Sequence, residues 1–181
     1  MANQKLSNLV SLTAPHQEDL LLVVDDPGGT PLSRKSPVRR VQAAMGAGAK
    51  AYAVTNQQVN HATWTRVNFP LEVWDDAAFH STVTNNSRFT IPAGYGGRYL
   101  LIAQTLWATP NDGQRYWTNI KKNDAYIDSA VGINIGGTVY CEQAVYIVDA
   151  VATNYFEIFV YQNSSTTEYL DESYFTIQKI G

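Results

Sequence analysis

The side chains best suited to metal or nucleophilic chemistry are His16, His61, His80, Cys141 and the pair Asp75-Asp76. The histidines are far apart, with no His-x-x-x-His pair and no second cysteine, so the spacing of a zinc site is missing. Ser87 and Ser173 lack the Gly-x-Ser-x-Gly setting of a nucleophile elbow. Gly46-Ala47-Gly48 precedes Lys50 without the Gly-Lys-Ser/Thr ending of a phosphate loop. Asp75 and Asp76 are a calcium candidate with nearby loop carbonyls; the competing reading is a turn whose carboxylates satisfy backbone N–H groups. No catalytic constellation and no cofactor are expected, and the chain does not read as an enzyme.

Two groups point to binding. Trp74, Tyr95, Asn111, Tyr116, Trp117 and Tyr126 lie near turn signals. Sugar faces stack on such rings and Asn binds sugar hydroxyls, which makes the set a candidate glycan site; the alternative is that most of these rings are core or subunit interface. Arg34, Lys35, Arg39 and Arg40 form a basic arm that could dock on an acidic surface, or could be simply solvated.

The elements that must position these residues are strands. With 45% hydrophobic and 16% charged residues and 11 Tyr, the composition suits β-structure and wet binding surfaces. The net charge of −3 excludes nucleic-acid binding driven by overall charge. Residues 1–50 are mildly basic (six Lys/Arg, four Asp/Glu) and residues 51–181 acidic (seven and twelve). Cys141 is the single cysteine, so no intrachain disulfide forms; in the alternating stretch Val139, Cys141, Gln143, Val145 a buried thiol is expected. No apolar run reaches the roughly 18 residues of a membrane span, and Met1-Ala2-Asn3-Gln4-Lys5 does not open a secretory signal, so synthesis in a cytoplasm is expected.

Asp19 to Val24 reads as a strand stopped at Pro27-Gly28-Gly29, followed by an extended return through Pro31 and Pro37. The Ala/Gly-rich residues 42–53 are taken as the boundary: a short helix, a linker or a close-packed stalk. Strands are then expected at 88–92, 99–107, 115–122, 125–135, 138–148, 155–161 and 173–180, with turns at Asn111-Asp112-Gly113, Asn123-Asp124 and Gly136-Gly137. Their spacing indicates a sandwich or barrel. Leu100, Leu101, Ile102, Trp107, Phe159 and Tyr161 put large apolar groups on both strand faces, more than one sandwich core can take up, so they are assigned jointly to core and subunit interface.

Several stretches resemble the C1q/TNF-like jelly-roll heads of animals and bacteriophage fibres. They are Val67 to Asp76, Ser87 to Pro92 followed by Gly97-Arg98-Tyr99, Ile120-Lys121-Lys122-Asn123, and Tyr174-Phe175-Thr176-Ile177 with Ile180. Leu9 to Val41 resembles a strand–turn–strand module found near the start of phage tail and head fibre proteins. The resemblance implies an all-β jelly roll that assembles as a homotrimer, preceded by a small hairpin or extended anchor. The corresponding division is an attachment segment at 1–50, a connector at 51–63 and a head at 64–181. It further implies a virion-surface protein, held to a phage capsid or tail by its N-terminal segment. As a head fibre or capsid decoration it would also touch host-surface carbohydrate; a tail receptor-binding tip and a non-viral lectin or adhesin are the alternatives.

Overall fold

The computed structural model describes residues 20–25, 32–37, 46–53 and 56–181. The chain forms two compact units, Met1–Ala43 and Ala44–Gly181. In the first, β1 (Leu20–Asp25) and β2 (Leu32–Pro37) pair antiparallel, with Leu22 opposite Lys35 and Val23 opposite Arg34. The two strands fall where an outgoing and a return strand are expected; the expected turn at Pro27-Gly28-Gly29 lies outside the described residues.

The second unit holds β3 (Gly48–Tyr52), β4 (Gln57–Val59), β5 (Thr65–Arg66), β6 (Leu71–Asp75), β7 (Arg88–Thr90), β8 (Gly97–Trp107) and β9 (Arg115–Lys122). It continues with β10 (Ala125–Ile133), β11 (Tyr140–Ala150), β12 (Tyr155–Gln162), β13 (Glu168–Leu170) and β14 (Tyr174–Lys179). In one sheet β8 runs between β11 and β14, β14 pairs with β3, and β3 with β6; the Trp107 end of β8 also meets β13, which pairs with β4. The other sheet has the order β10-β9-β12, with β5 and β7 both on β12. All these pairings are antiparallel.

Alternation builds the core. Along β8, Tyr99, Leu101, Ala103, Thr105 and Trp107 are buried between the sheets, and Leu100, Ile102, Gln104 and Leu106 face the other way. From the opposing sheet come Tyr116, Thr118, Ile120, Phe156, Ile158 and Val160. Trp107 packs on Tyr116 at 4.7 Å between centroids, Phe89 on Phe175 at 4.8 Å, and the Thr105 and Thr118 hydroxyls bond across the sandwich at 2.5 Å.

Two features differ from the sequence expectation, and at Asp75-Asp76 the turn is the reading that the geometry fits. The head, expected from residue 64, takes in earlier residues: Gly48–Tyr52 of the Ala/Gly-rich stretch form β3 and Gln57–Val59 of the expected connector form β4, both paired with strands of the head. The small side chains of the Ala/Gly-rich stretch fit the core: Ala49, Ala51 and Ala53 are fully buried. Cys141 is exposed, not buried. On β11 it is Glu142 and Ala144 that turn inward, so the face carrying Cys141, Gln143, Val145 and Ile147 is the outer one. The Cys141 thiol is pushed up by desolvation and by the Glu142 charge, which keeps it protonated. Asp75 and Asp76 act as turn anchors: Asp75 accepts the N–H groups of Ala77 (3.1 Å), Phe79 (3.0 Å) and His80 (2.9 Å), and Asp76 accepts that of Gly48 (3.1 Å). With those carboxylates engaged, no group of three or more His, Cys, Asp or Glu among the described residues is placed to hold a metal ion. Among the same residues no helix is long and apolar enough to cross a membrane.

Candidate functional site

Two outer faces of the head carry side chains that the fold itself does not use up. The first belongs to the β10-β9-β12 sheet. Strand parity turns Tyr155, Glu157, Phe159 and Tyr161 of β12 outward, beside Trp117, Asn119 and Lys121 of β9. Trp64, just ahead of β5, lies over this sheet, 5.1 Å from the Tyr161 ring and 6.0 Å from the Tyr126 ring; Trp117 meets Tyr161 edge-on at 5.0 Å. Trp64 is 40% exposed and Tyr126 55%, while Trp117 and Tyr161 are half-buried behind them.

Cations occupy the lower part of the same face. Lys121 Nζ lies 3.9 Å from the Phe159 ring centre and 4.5 Å from that of Tyr126, and the Arg66 guanidinium is 5.3 Å from Phe159. Arg88 stacks on Tyr155 at 3.7 Å and donates from Nε to Glu157 Oε1 at 3.2 Å. Glu157 is thereby held as a buried carboxylate under Arg88 and Arg66. A shallow depression of about 410 Å³ opens beside Tyr126, lined by Asn119, Ile127, Asp128 and Ser129. It sits where the β9–β10 register shifts between Tyr126 and Asp128, a bulge that re-aims the strand. Asn119 is 6% exposed, and its Oδ1 has no hydrogen-bond partner.

The second face is the outside of β8 and β11. Register places Val145 opposite Ile102 and Ile147 opposite Leu100 as an apolar patch, which the Gln143–Gln104 pair separates from Cys141 and Leu106. Val145 is 51% and Ile147 56% exposed.

The residues predicted for glycan binding divide accordingly. Trp117 and Tyr126 share the aromatic face. Trp74 is half-buried on β6, opposite Lys50 in the other sheet. Tyr95 packs on Phe79 at 5.7 Å and its carbonyl accepts the Tyr99 hydroxyl. Tyr116 is core, its hydroxyl pushed up to about 12 by burial and then by the Glu168 charge, against the hydrogen bond it accepts from the Asn111 N–H. Asn111 is spent locally: its N–H donates to Tyr116 Oη (2.7 Å) and its amide to Thr166 Oγ1 (2.7 Å) and Glu168 Oε1 (2.8 Å). Of the interface-or-core set, Leu101 and Trp107 are core, Leu100 and Ile102 belong to the β8–β11 patch, and Phe159 and Tyr161 lie on the aromatic face. Arg34 and Lys35 are on β2, their side chains outside the described residues, as are Arg39 and Arg40 altogether. Trp64 and Asn119 were not singled out from the sequence; the alternation of β9 places Asn119 on the face of Trp117, whereas nothing local marks Trp64.

The two-sheet arrangement is shared with the globular domain of zebrafish complement 1qA protein, at TM-score 0.59 and 11% identity over 75% of this chain and 97% of that one. Murine APRIL at pH 5.0 is similar at TM-score 0.55 and 9% identity, over 73% and 98%. The fold is a C1q/TNF-like jelly roll. The vertex protein P5 of phage PRD1 is also similar, at TM-score 0.61 and 11% identity, and covers 99% of this chain and 91% of its own. No family model and no curated protein matches the chain. Within the jelly-roll head, the apolar patch therefore lies on the sheet of β8 and the aromatic platform on the sheet of β12.

Proposed function

We propose that this chain is a structural virion protein of a tailed phage, a trimeric head fibre or capsid decoration whose N-terminal segment attaches it to the particle. The observation that carries the proposal is the outward apolar face of β8 and β11. Leu100, Ile102, Val145 and Ile147 lie side by side on two paired 11-residue strands, with Leu106 beyond the Gln104–Gln143 pair. Soluble monomers rarely leave such a patch uncovered, and β11 is also a long strand at its sheet's margin, which invites association. A second copy of the head is the partner this surface fits, and three-fold closure follows the resemblance to C1q/TNF-like heads. Likeness to a vertex protein over 99% of the chain supports a place on a particle. In this reading the basic residues Arg34, Lys35, Arg39 and Arg40 dock on an acidic capsid or tail surface.

A tail receptor-binding tip has the same architecture, and the aromatic face favours some contact with a host surface; a non-viral lectin would share that face but not the particle. Mass spectrometry of purified particles, with heads and tails separated, tests the assignment. The protein is expected in the head fraction. Recovery in the tail fraction alone supports the tip, and absence from particles overturns the virion reading.

A further inference from the structure

We infer that the outer face of the β10-β9-β12 sheet is a binding site for a neutral pyranose, with Trp64 and Tyr126 as its stacking surface and Asn119 as its buried hydrogen-bonding partner. The inference deepens the proposed function and rests on it for an exposed head, but its geometry belongs to this sheet alone. Trp64 and Tyr126 are among the most exposed aromatic side chains of the head, yet neither hangs free. Each lies within 6.0 Å of the other's ring, and Tyr161 backs Trp64 at 5.1 Å with Trp117 behind it. Rings held this way lose little conformational entropy when a ligand arrives, which is what a stacking platform requires.

Chemistry beside the rings selects the ligand class. The depression next to Tyr126 has the size of a small-molecule pocket, about 410 Å³. Its polar lining consists of Asn119, Asp128 and Ser129. Asn119 lines the depression and its Oδ1 is buried without a donor, a desolvation cost that a ligand hydroxyl would offset. A cationic ligand is disfavoured by the positive charge that Lys121 and Arg66 bring to this face, while Tyr126 keeps 55% of its surface exposed for stacking. Carboxylate or phosphate is disfavoured by Asp128 in the lining and by Glu157, whose carboxylate already holds the two guanidiniums. What remains is a neutral molecule with an apolar C–H face for the rings and several hydroxyls for the rim. A hexopyranose has both. A second copy of the chain is the weaker occupant, since the apolar surface a subunit would need lies on the other sheet.

Saturation-transfer NMR on the full chain, using methyl glucosides, galactosides and mannosides and their trisaccharides, tests the site. Transfer to the C–H protons of one ring face is expected from at least one sugar. Trp64→Ala and Tyr126→Ser should each weaken binding by about tenfold or more, equivalent to about 1.4 kcal/mol. Trp74→Ala, on the other sheet, should bind as the parent does. Both test positions are substantially exposed, and unchanged thermal melts would establish that the variants fold. Sugar binding that survives both substitutions overturns this site while leaving carbohydrate contact by the head intact. No transfer from any sugar overturns both, without touching the particle assignment. A changed sedimentation coefficient for Trp64→Ala would make the face a contact between copies and likewise overturn the inference.

Discussion

Replacing Gly48 by alanine separates a linker from a core strand, because the two readings of residues 42–53 give effects of opposite sign. In a flexible linker the substitution reduces the freedom of the unfolded chain and stabilises by about 0.4–1 kcal/mol. In β3 a methyl group at Gly48 would overlap the Ile177 carbonyl oxygen and come within 3.1 Å of both Gln178 Cα and the Ile177 carbonyl carbon. All three are backbone atoms of the paired strand β14, so no side chain can rotate away. The strands must part, and the Gly48–Asp76 bonds, 3.1 Å from Gly48 N–H to the carboxylate and 3.0 Å from Asp76 N–H to the Gly48 carbonyl, are strained with them. Overpacking of this kind costs about 1–3 kcal/mol. At about 4 °C per kcal/mol for a head of this size, Tm should fall by about 4–12 °C. Gly46, two residues earlier, has nothing within 4 Å of an added methyl, so Gly46→Ala should stay within about 0.5 kcal/mol of the parent. Calorimetry and tryptophan fluorescence on both variants provide the measurement. An unchanged or raised Tm for Gly48→Ala would refute the placement of β3 in the head.

Other expectations can be checked on the same material. Val145→Asp combined with Ile147→Asp places two charges on the β8–β11 patch and should convert the assembly to protomers in gel filtration, while circular dichroism keeps its β spectrum. Asp75→Ala removes the acceptor of three N–H groups and should cost about 1–3 kcal/mol in urea denaturation; EDTA should leave the parent's melt unchanged, and a fall would restore Asp75 and Asp76 as calcium ligands. Tyr99 and Tyr116 are both pushed up to about 12, chiefly by burial. The unfolded chain therefore gives up these protons first, near pH 10. Stability should be full below that pH and decline between about 10 and 12, followed by denaturant midpoints; a flat profile there would contradict the burial of the two hydroxyls. Reversing Arg34 and Arg39 to Glu should lower occupancy on particles, measured by quantitative mass spectrometry, and unchanged occupancy would remove the basic arm from attachment.

Much of the head is legible in the sequence because its long strands carry a period of two. Arg115 to Lys122 is a strand with the bounds expected of it, and β8, β10, β11, β12 and β14 lie within a few residues of theirs. Asn123 and Asp124 both take positive φ, 50° and 66°, as a tight hairpin turn requires; Asp124 does so without glycine, its carboxylate accepting the Tyr155 hydroxyl at 2.7 Å. The failures have physical causes. Alternation is faint in β3, whose inward positions hold only the small Ala49 and Ala51, and β4 and β13 are only three residues each. Periodicity also identifies two faces without saying which turns inward, which is why Cys141 was assigned to the core. The aromatic platform could not be read locally at all. It joins Trp64 with Tyr126 and Tyr161 through three separate segments, and only the register of β12 between β5 and β9 brings them together.

Sedimentation equilibrium of the full chain tests three-fold assembly directly. A single species at three times the 20.0 kDa protomer mass, persisting to low micromolar concentration, is the expected result. A homogeneous 20.0 kDa species under the same conditions would contradict it, because the apolar outer face of β8 and β11 would then stand in water without a partner.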